Sequence, residues 1–456
     1  MMTSPEFRRN LWLEFSAHRL AAMPVILGAV FLLLYLAGSR TLDANTGAVA
    51  GFVYILLIFL WGTRLATDTV VAEVQGHTWD QQRLSAIGAW PMAWGKLFGA
   101  TAYAWYGGIF CMAFYGVSHA THWSLSAVLN AVALYIAAGI FAHALSLALS
   151  LQAIQRRRAF GRVQVLWFQV AAMVAAGIPL YSGLKGLELT GDGAMIAWYG
   201  YSMAQTHFVI VSLAGFAGWA LTGVYALIRL ELMHRHGPWL WLGFTMFAMT
   251  YFGGLEWAPW GLPVILTSVP IGLVVAFLVA SGAAYAMAFG EPKTRVRLRR
   301  LAHYLRENQW RRALEHFPRS ALTLLPVAGA AIAAALMADT SHFQNIAGLA
   351  DVRLSILATV LFVVRDIGFI FVISLRHEKG SGLADARAFL YLVLAYTLLP
   401  ALAQAIGAAS LLGFFWPEWG EPAAWSIVPV LLEVAVIGGL LWRRWQNIQA
   451  SAAEPS

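Results

Sequence analysis

Long apolar runs separated by short polar ones organise this chain. Runs of about twenty residues recur at about 20–38, 49–69, 97–118, 125–151, 163–183, 207–230, 239–256, 262–289, 321–338, 353–375, 388–411 and 424–442. One helix needs that length, with few charges, to cross the roughly 30 Å hydrocarbon core of a bilayer. The runs are continuous and do not alternate every second residue, so they predict helices and not the strands of an outer-membrane barrel. The expected fold is an all-α polytopic membrane protein with about twelve spans.

Composition agrees. Of the 456 residues, 60% are hydrophobic and only 11% charged, with a mean hydropathy of +0.67, whereas soluble domains carry roughly 25% charged residues. At roughly twenty residues per span there is no room for a large soluble domain. The twenty Trp suit the two membrane interfaces. A net charge of +8 would suggest nucleic acid in a soluble protein, but here the cations fill every second connection. Arg8, Arg9 and Arg19 precede the first run, Arg83 and Lys96 follow the second, and Arg156, Arg157, Arg158 and Arg162 follow the fourth. Arg229 and Arg235 follow the sixth, a block from Lys293 to Arg319 the eighth, Arg376, Lys379 and Arg387 the tenth, Arg443 and Arg444 the twelfth. Basic residues concentrate on the cytoplasmic side. The expectation is a multi-pass protein of a bacterial inner membrane with both termini cytoplasmic, lipid as its surroundings and no nucleic-acid partner. The single Cys111, in an apolar stretch, excludes an intrachain disulfide and a Cys-based metal site. The first run follows a long amphipathic segment and precedes no small-residue cleavage site, so no cleavable signal peptide is expected.

Two segments read as cytoplasmic surface helices. Pro5 to Leu20 places Phe7, Leu11 and Phe15 on one stripe. Arg295 to Phe317 places Leu298, Leu301 and Leu305 among Arg297, Arg299, Arg300, Arg306, Arg311 and Arg312, with Trp310 as a headgroup anchor. The alternative is a pair of solvated basic loops. The two segments also suggest a repeat: Asn10-x-Trp12 before Pro24-Val25 is echoed by Asn308-x-Trp310 before Pro326-Val327, and Glu73 and Asp80 by Glu378 and Asp385. This divides the chain into region 1–291, with eight spans, and region 292–456, with four that restate the first four.

Between Glu73 and Lys96 the chain turns polar, and it must lie outside the bilayer while its neighbours cross. Glu73 and Asp80 are seven apart, so on one helix they share a face, which Arg83 extends; Thr78 stands where it can cap the helix start. The segment resembles the signature between the second and third spans of ABC-2 type permeases, the membrane subunits of ATP-binding-cassette transporters: Glu-x-x-x-Gly-Thr-x-(Glu/Asp), then Gly-Lys. Here these are Glu73, Thr78, Asp80, Gly95 and Lys96, with Gly76 beside them. His77 stands where the family has Gly, and Pro91 comes later than the family's Pro. The resemblance implies a surface helix before the first span and a coupling helix between spans two and three that docks in a groove of a separate ATPase subunit. It assigns Glu73, Gly76, Thr78, Asp80, Arg83 and Lys96 to that coupling, with Glu378 and Asp385 as their counterparts in the repeat.

Enzymatic signatures are missing. Lys96 is followed by Leu97, so no phosphate-cradling Gly-x-x-x-x-Gly-Lys-(Ser/Thr) exists, and any ATP is expected on the partner, with no cofactor on this chain. His377-Glu378 does not continue to a second His, His119 and His122 alone are too few for a metal site, and Gly-x-Ser-x-Gly is absent. Polar residues within spans are His143, Arg365, Asp366 and Glu433, with Arg64 and Asp68 near an inner end. They are either the polar lining of a path or bonds that fix the bundle. Arg365 and Asp366 point about 100° apart and need not pair, whereas Arg365 can reach Glu433. So few polar groups suit a hydrophobic or amphiphilic cargo. The expected function is a permease subunit without its own ATPase, exporting an unidentified molecule, either alone in the membrane or with a second copy or second permease. The alternatives are an ion-coupled secondary transporter and a membrane-embedded enzyme or accessory protein.

Overall fold

Hydrocarbon gives the backbone no hydrogen-bond partner, so the apolar runs fold as helices that satisfy their own N–H and C=O groups. The computed structural model describes residues 4–37, 42–85, 87–155, 162–188, 194–234, 237–255, 270–338, 352–375, 381–416 and 424–453. The chain forms two compact units: Met1–Ala197 with Tyr201–Arg235, and Trp198–Gly200 with His236–Ser456. Six apolar runs fall in each. The division expected at 291 marks instead the start of the second surface segment, inside the second unit.

The first unit holds α1 (Pro5–Glu14), α2 (Ala17–Ala37), α3 (Ala44–Gln75), α4 (Trp79–Arg83), α5 (Ala89–Gly99), α6 (Ala102–His119), α7 (Leu125–Gln155), α8 (Arg162–Glu188) and α9 (Gln205–Glu231). Between α8 and α9 lies a feature the apolar pattern did not announce, the hairpin β1 (Met195–Trp198) and β2 (Tyr201–Ala204). Its two turn residues, Tyr199 and Gly200, have φ of 49° and 78°, the left-handed pair that a two-residue hairpin loop requires. The second unit holds α10 (Trp239–Gly253), α11 (Ile271–Gly290), α12 (Arg295–Arg306), α13 (Trp310–His316), α14 (Arg319–Met337), α15 (Val352–Ser374), α16 (Ser381–Tyr396), α17 (Leu398–Ala405), a 3-10 turn (Ala409–Phe414) and α18 (Ala424–Ala453).

Among the described residues, nine helices are long and apolar enough to cross a membrane: α2, α3, α7, α8, α9, α11, α14, α15 and the stretch Ala384–Ala405 that joins α16 to α17. The third run is a tenth if α5 and α6, bent by 51° at their junction, count as one span. The seventh and twelfth runs form α10 and α18, which stand outside those nine.

Small residues bring the helices together, as expected where lipid gives no hydrophobic drive between them. On α11, Ala276, Ala280, Ala284 and Ala288 recur every fourth residue and are buried in one cluster with Ala330, Ala331, Ala334 and Ala335 of α14. In the first unit Gly139 of α7 fills the same role. A Cβ there would lie 2.7 Å from Ile58 Cγ2 and 2.9 Å from Trp105 Cη2.

Both expected surface helices are broken. The first ends at Glu14, because Ser16 Oγ accepts from Arg19 N at 3.3 Å and so opens α2; its buried residue is Glu6, while Phe7, Leu11 and Phe15 are only half-buried. The second splits into α12 and α13 at Asn308, whose φ is +55°. Its leucine stripe is covered by protein. Leu298 and Leu301 are buried in a cluster with Leu375, Leu441 and Trp445 of the same unit. The repeat survives only in part: Pro24 and Pro326 are each the eighth residue of their span helix, but Asn10 lies within α1 whereas Asn308 makes a left-handed turn.

Gly139→Leu overpacks the contact with α3 and α6 at a cost of about 1–3 kcal/mol. The expected outcome is a lowered melting temperature of the purified chain, read by intrinsic tryptophan fluorescence, whereas Gly218→Leu, where a Cβ meets nothing within 4 Å, leaves it unchanged.

Candidate functional site

The polar segment between the second and third spans is built around the end of α3. There Thr78 N donates to Glu73 O at 2.9 Å and His77 N to Val74 O at 3.2 Å, the paired bonds that close a helix around one left-handed residue. That residue is His77, with φ +54°. Glycine would adopt this conformation without a Cβ penalty.

The turn separates Glu73 on α3 from Asp80 and Arg83 on α4, so these three do not share one helix face as the seven-residue spacing suggested. Thr78 gives α4 no side-chain cap; its Oγ1 donates back to Glu73 O at 3.3 Å. Gly76 is the C-cap of α3, its N–H bonded to Ala72 O at 2.8 Å.

Glu73 turns inward to Lys96, whose side chain is 0% exposed. Lys96 Nζ pairs with Glu73, donates to Gln82 Oε1 at 2.9 Å, lies 3.4 Å from Glu6 Oε1 and sits 5.2 Å from the Trp79 ring centroid. Gln82 Nε2 donates to Glu73 Oε1 at 2.5 Å. Arg9 completes the set, 3.4 Å from Glu6 and 3.6 Å from Glu73. Two cations thus meet two carboxylates, the balance that buried charges need. Asn10 Nδ2 donates to Gly95 O at 3.1 Å, and a Cβ on Gly95 would lie 2.7 Å from Glu6 Cγ and 2.8 Å from Phe7 N. In the Gly-Lys pair, Gly95 therefore lets α1 approach and Lys96 anchors it.

The short helix α4 is held from its other side by α9. Trp79 is buried and its Nε1 donates to Glu231 Oε2 at 3.3 Å, while Arg83 Nε donates to Glu231 O at 2.8 Å. Asp80 points outward, its side chain 82% exposed, with one contact to Arg83 at 3.2 Å. Leu84 beside it is 88% exposed. The sequence pattern did not single out Glu6, Gln82, Leu84 or Glu231; an acid closing the sixth span was the available signal for Glu231.

In the second unit, Lys293 is similarly buried. It pairs with Asp385 at 3.0 Å and sits 5.9 Å from the Phe371 ring centroid, and Ser374 Oγ also donates to Asp385 at 3.1 Å. Asp385 is therefore buried and not displayed as Asp80 is. Its expected companion Glu378 lies outside the described residues.

The intramembrane residues are bonded rather than open. His143 is buried, and its Nε2 donates to Ile58 O at 2.8 Å. That carbonyl belongs to a π-helical stretch of α3, Ile55–Gly62, and also accepts from the backbone N–H of Thr63, so the imidazole shares it with the helix. In the second unit, Arg365 and Asp366 do pair, Nε to Oδ1 at 2.8 Å. Arg365 Nη1 also donates to Glu433 Oε2 and Phe414 O, at 2.8 and 2.9 Å, and its Nη2 to Tyr396 Oη at 2.8 Å. Tyr285 and Tyr396 donate to Asp366 Oδ2 at 2.6 and 2.7 Å. Asp366 is fully enclosed; Glu433, with 31% of its side chain exposed, is the member that reaches outward. Arg64 and Asp68 pair with each other at 3.4 Å on an exposed face. Among the described residues no three His, Cys, Asp or Glu gather as a metal site.

Lys96→Met leaves Glu6 and Glu73 with the half-exposed Arg9 as their one cation and is expected to destabilise the chain by about 3–5 kcal/mol. Lys96→Met with Glu73→Met recovers part of that loss in the same melting assay; equal losses for single and double variants would contradict the pairing. Arg365→Met, which strands Asp366 and Glu433, is expected to lower the melting temperature more than Glu433→Gln, which keeps an acceptor for Arg365. Family models, curated proteins and solved structures were compared with the chain, and none matches it.

Proposed function

We propose that the chain is the membrane-spanning permease subunit of an ABC-2 type transporter in a bacterial inner membrane, driven by a separate ATPase subunit that binds the nucleotide. In this reading both termini and α4 face the cytoplasm. The observation that carries it is the mounting of α4. A coupling element has to move its spans when the engine moves, which requires a stiff joint and a free outer face. Lys96, Glu73 and Gln82 tie α4 to α3 and α5, Glu231 ties it to α9, and Asp80 and Leu84 remain outside as a mixed polar and apolar contact. The scarcity of polar groups in the spans supports a hydrophobic or amphiphilic cargo; export is the proposed direction.

Purification of the chain with its neighbours intact is expected to bring down a Walker-motif ATPase, and the purified single chain is expected to hydrolyse no ATP. Asp80→Lys should leave expression and melting unchanged, since the side chain is 82% exposed, yet cost about 2–5 kcal/mol at a desolvated docking contact. The ATPase is then lost on pull-down, or turns over without transport. Nucleotide turnover by the lone chain would sink the reading. So would an Asp80→Lys variant normal in assembly and transport while Glu433→Gln abolishes transport, the pattern of an ion-coupled secondary transporter.

A further inference from the structure

The connection between α11 and α14 is a strongly cationic stretch of the second unit. From Glu291 to Arg319 it holds Lys293 and eight Arg against Glu291, Glu307 and Glu315. The fold sorts these charges into an inner and an outer set. Inside, Lys293 pairs with Asp385, and Arg297 donates to the carbonyls of His316 and Phe317 at 3.0 and 2.9 Å and meets Glu291 at 3.4 Å. Glu291 in turn accepts from the backbone N–H of Arg319 and Ser320 at 2.9 and 3.2 Å, capping α14. Outside stand Arg295, Arg300, Arg306, Arg311 and Arg312, all exposed, with Trp310 62% exposed among them. No carboxylate among the described residues comes within ion-pair distance of Arg300, Arg306 or Arg311.

Position and chemistry together select a partner for this outer set. The Glu291 cap places the end of α11 beside the start of α14, two helices apolar enough to span the membrane, so α12 and α13 hang from a loop whose base is at the bilayer surface. Two residues separate α13 from α14, a reach of about 10 Å at most, comparable with the ~8 Å Debye length at physiological salt. The leucine side of α12 is already covered by protein, so what remains to be answered is positive charge. Guanidinium forks match phosphate oxygens in pairs, and an indole favours the headgroup layer. By contrast α1 carries Arg8 and Arg9 against Glu6 and Glu14, with no net charge.

We propose that α12 and α13 form a binding surface for the anionic phospholipid headgroups of the adjoining leaflet, with Arg300, Arg306 and Arg311 contacting phosphate and Trp310 anchoring at the interface. The proposal is independent of the ATPase reading.

To test it, the full chain is reconstituted in nanodiscs of phosphatidylcholine with a minor fraction of phosphatidylglycerol, released into detergent, and the retained lipids counted by native mass spectrometry. The wild type is expected to keep phosphatidylglycerol several-fold over its supplied share. The triple variant Arg300→Gln, Arg306→Gln, Arg311→Gln should fall to the supplied share with unchanged elution and melting, and Arg8→Gln should keep the enrichment. No enrichment in the wild type, or full enrichment in the triple variant, overturns the proposal. Release of the bound lipid by added inorganic phosphate alone would also overturn it, leaving a simple phosphate site. So would loss from the triple variant of a bound acidic protein with no change in lipid, which would make this a protein-docking face.

Discussion

A lysine with no exposed surface obliges the chain around it to supply negative charge within hydrogen-bond reach, because removing an ion from water costs several kcal/mol that only close pairing can offset. Lys96 imposes that condition on the first unit. Its partners come from α1, the last turn of α3 and the body of α4, and it stands itself on α5. Three consecutive segments and the distant α1 are therefore registered against a single ammonium group, and α1 lies where it does because Glu6 is needed there. Taken by itself, the second unit repeats the device with Lys293, Asp385 and the Phe371 ring. Two of the four lysines in the chain are structural rivets.

The apolar runs made the helical, membrane-spanning architecture legible, since their length and continuity have one physical reading. Local irregularities were harder to see. The hairpin at Tyr199 and Gly200 sits in a short mixed sequence without the Asn-Gly signal that marks such turns. The break at His77 was hidden because a left-handed histidine leaves no compositional trace, and treating residues 73–83 as one helix put Glu73 and Asp80 on a face they do not share. The bond from Arg365 to Glu433 was readable because two opposite charges at membrane depth have few other partners. Glu6 and Glu231 were not, since each looks like an ordinary charge at the edge of a span until the chain folds back on it.

The polar residues thus divide by what surrounds them and not by their motif. Glu73 and Lys96 belong to the segment that resembles the ABC-2 signature, yet they face inward and make the joint rigid. Asp80, from the same segment, faces water and is the residue a partner could reach. Asp385 matches Asp80 in the sequence echo but Glu73 in its burial and pairing. A motif read as a list of positions would give these residues one role, whereas their surroundings give them two.

The π-helical stretch Ile55–Gly62 in the middle of α3 has a consequence for the far end of that helix. Each residue added to or taken from an α-helix turns everything beyond it by about 100°, and a π-helical turn accommodates one residue more than an α-turn does. The azimuth at which Glu73 leaves α3 is therefore set some ten residues earlier, by a carbonyl-rich bulge braced by His143 and Gln169. Were the bulge to relax into regular α-helix, Glu73 would swing away from Lys96, and α4 would be re-aimed with it. The bulge is the aiming screw of the joint between α3, α4 and α5.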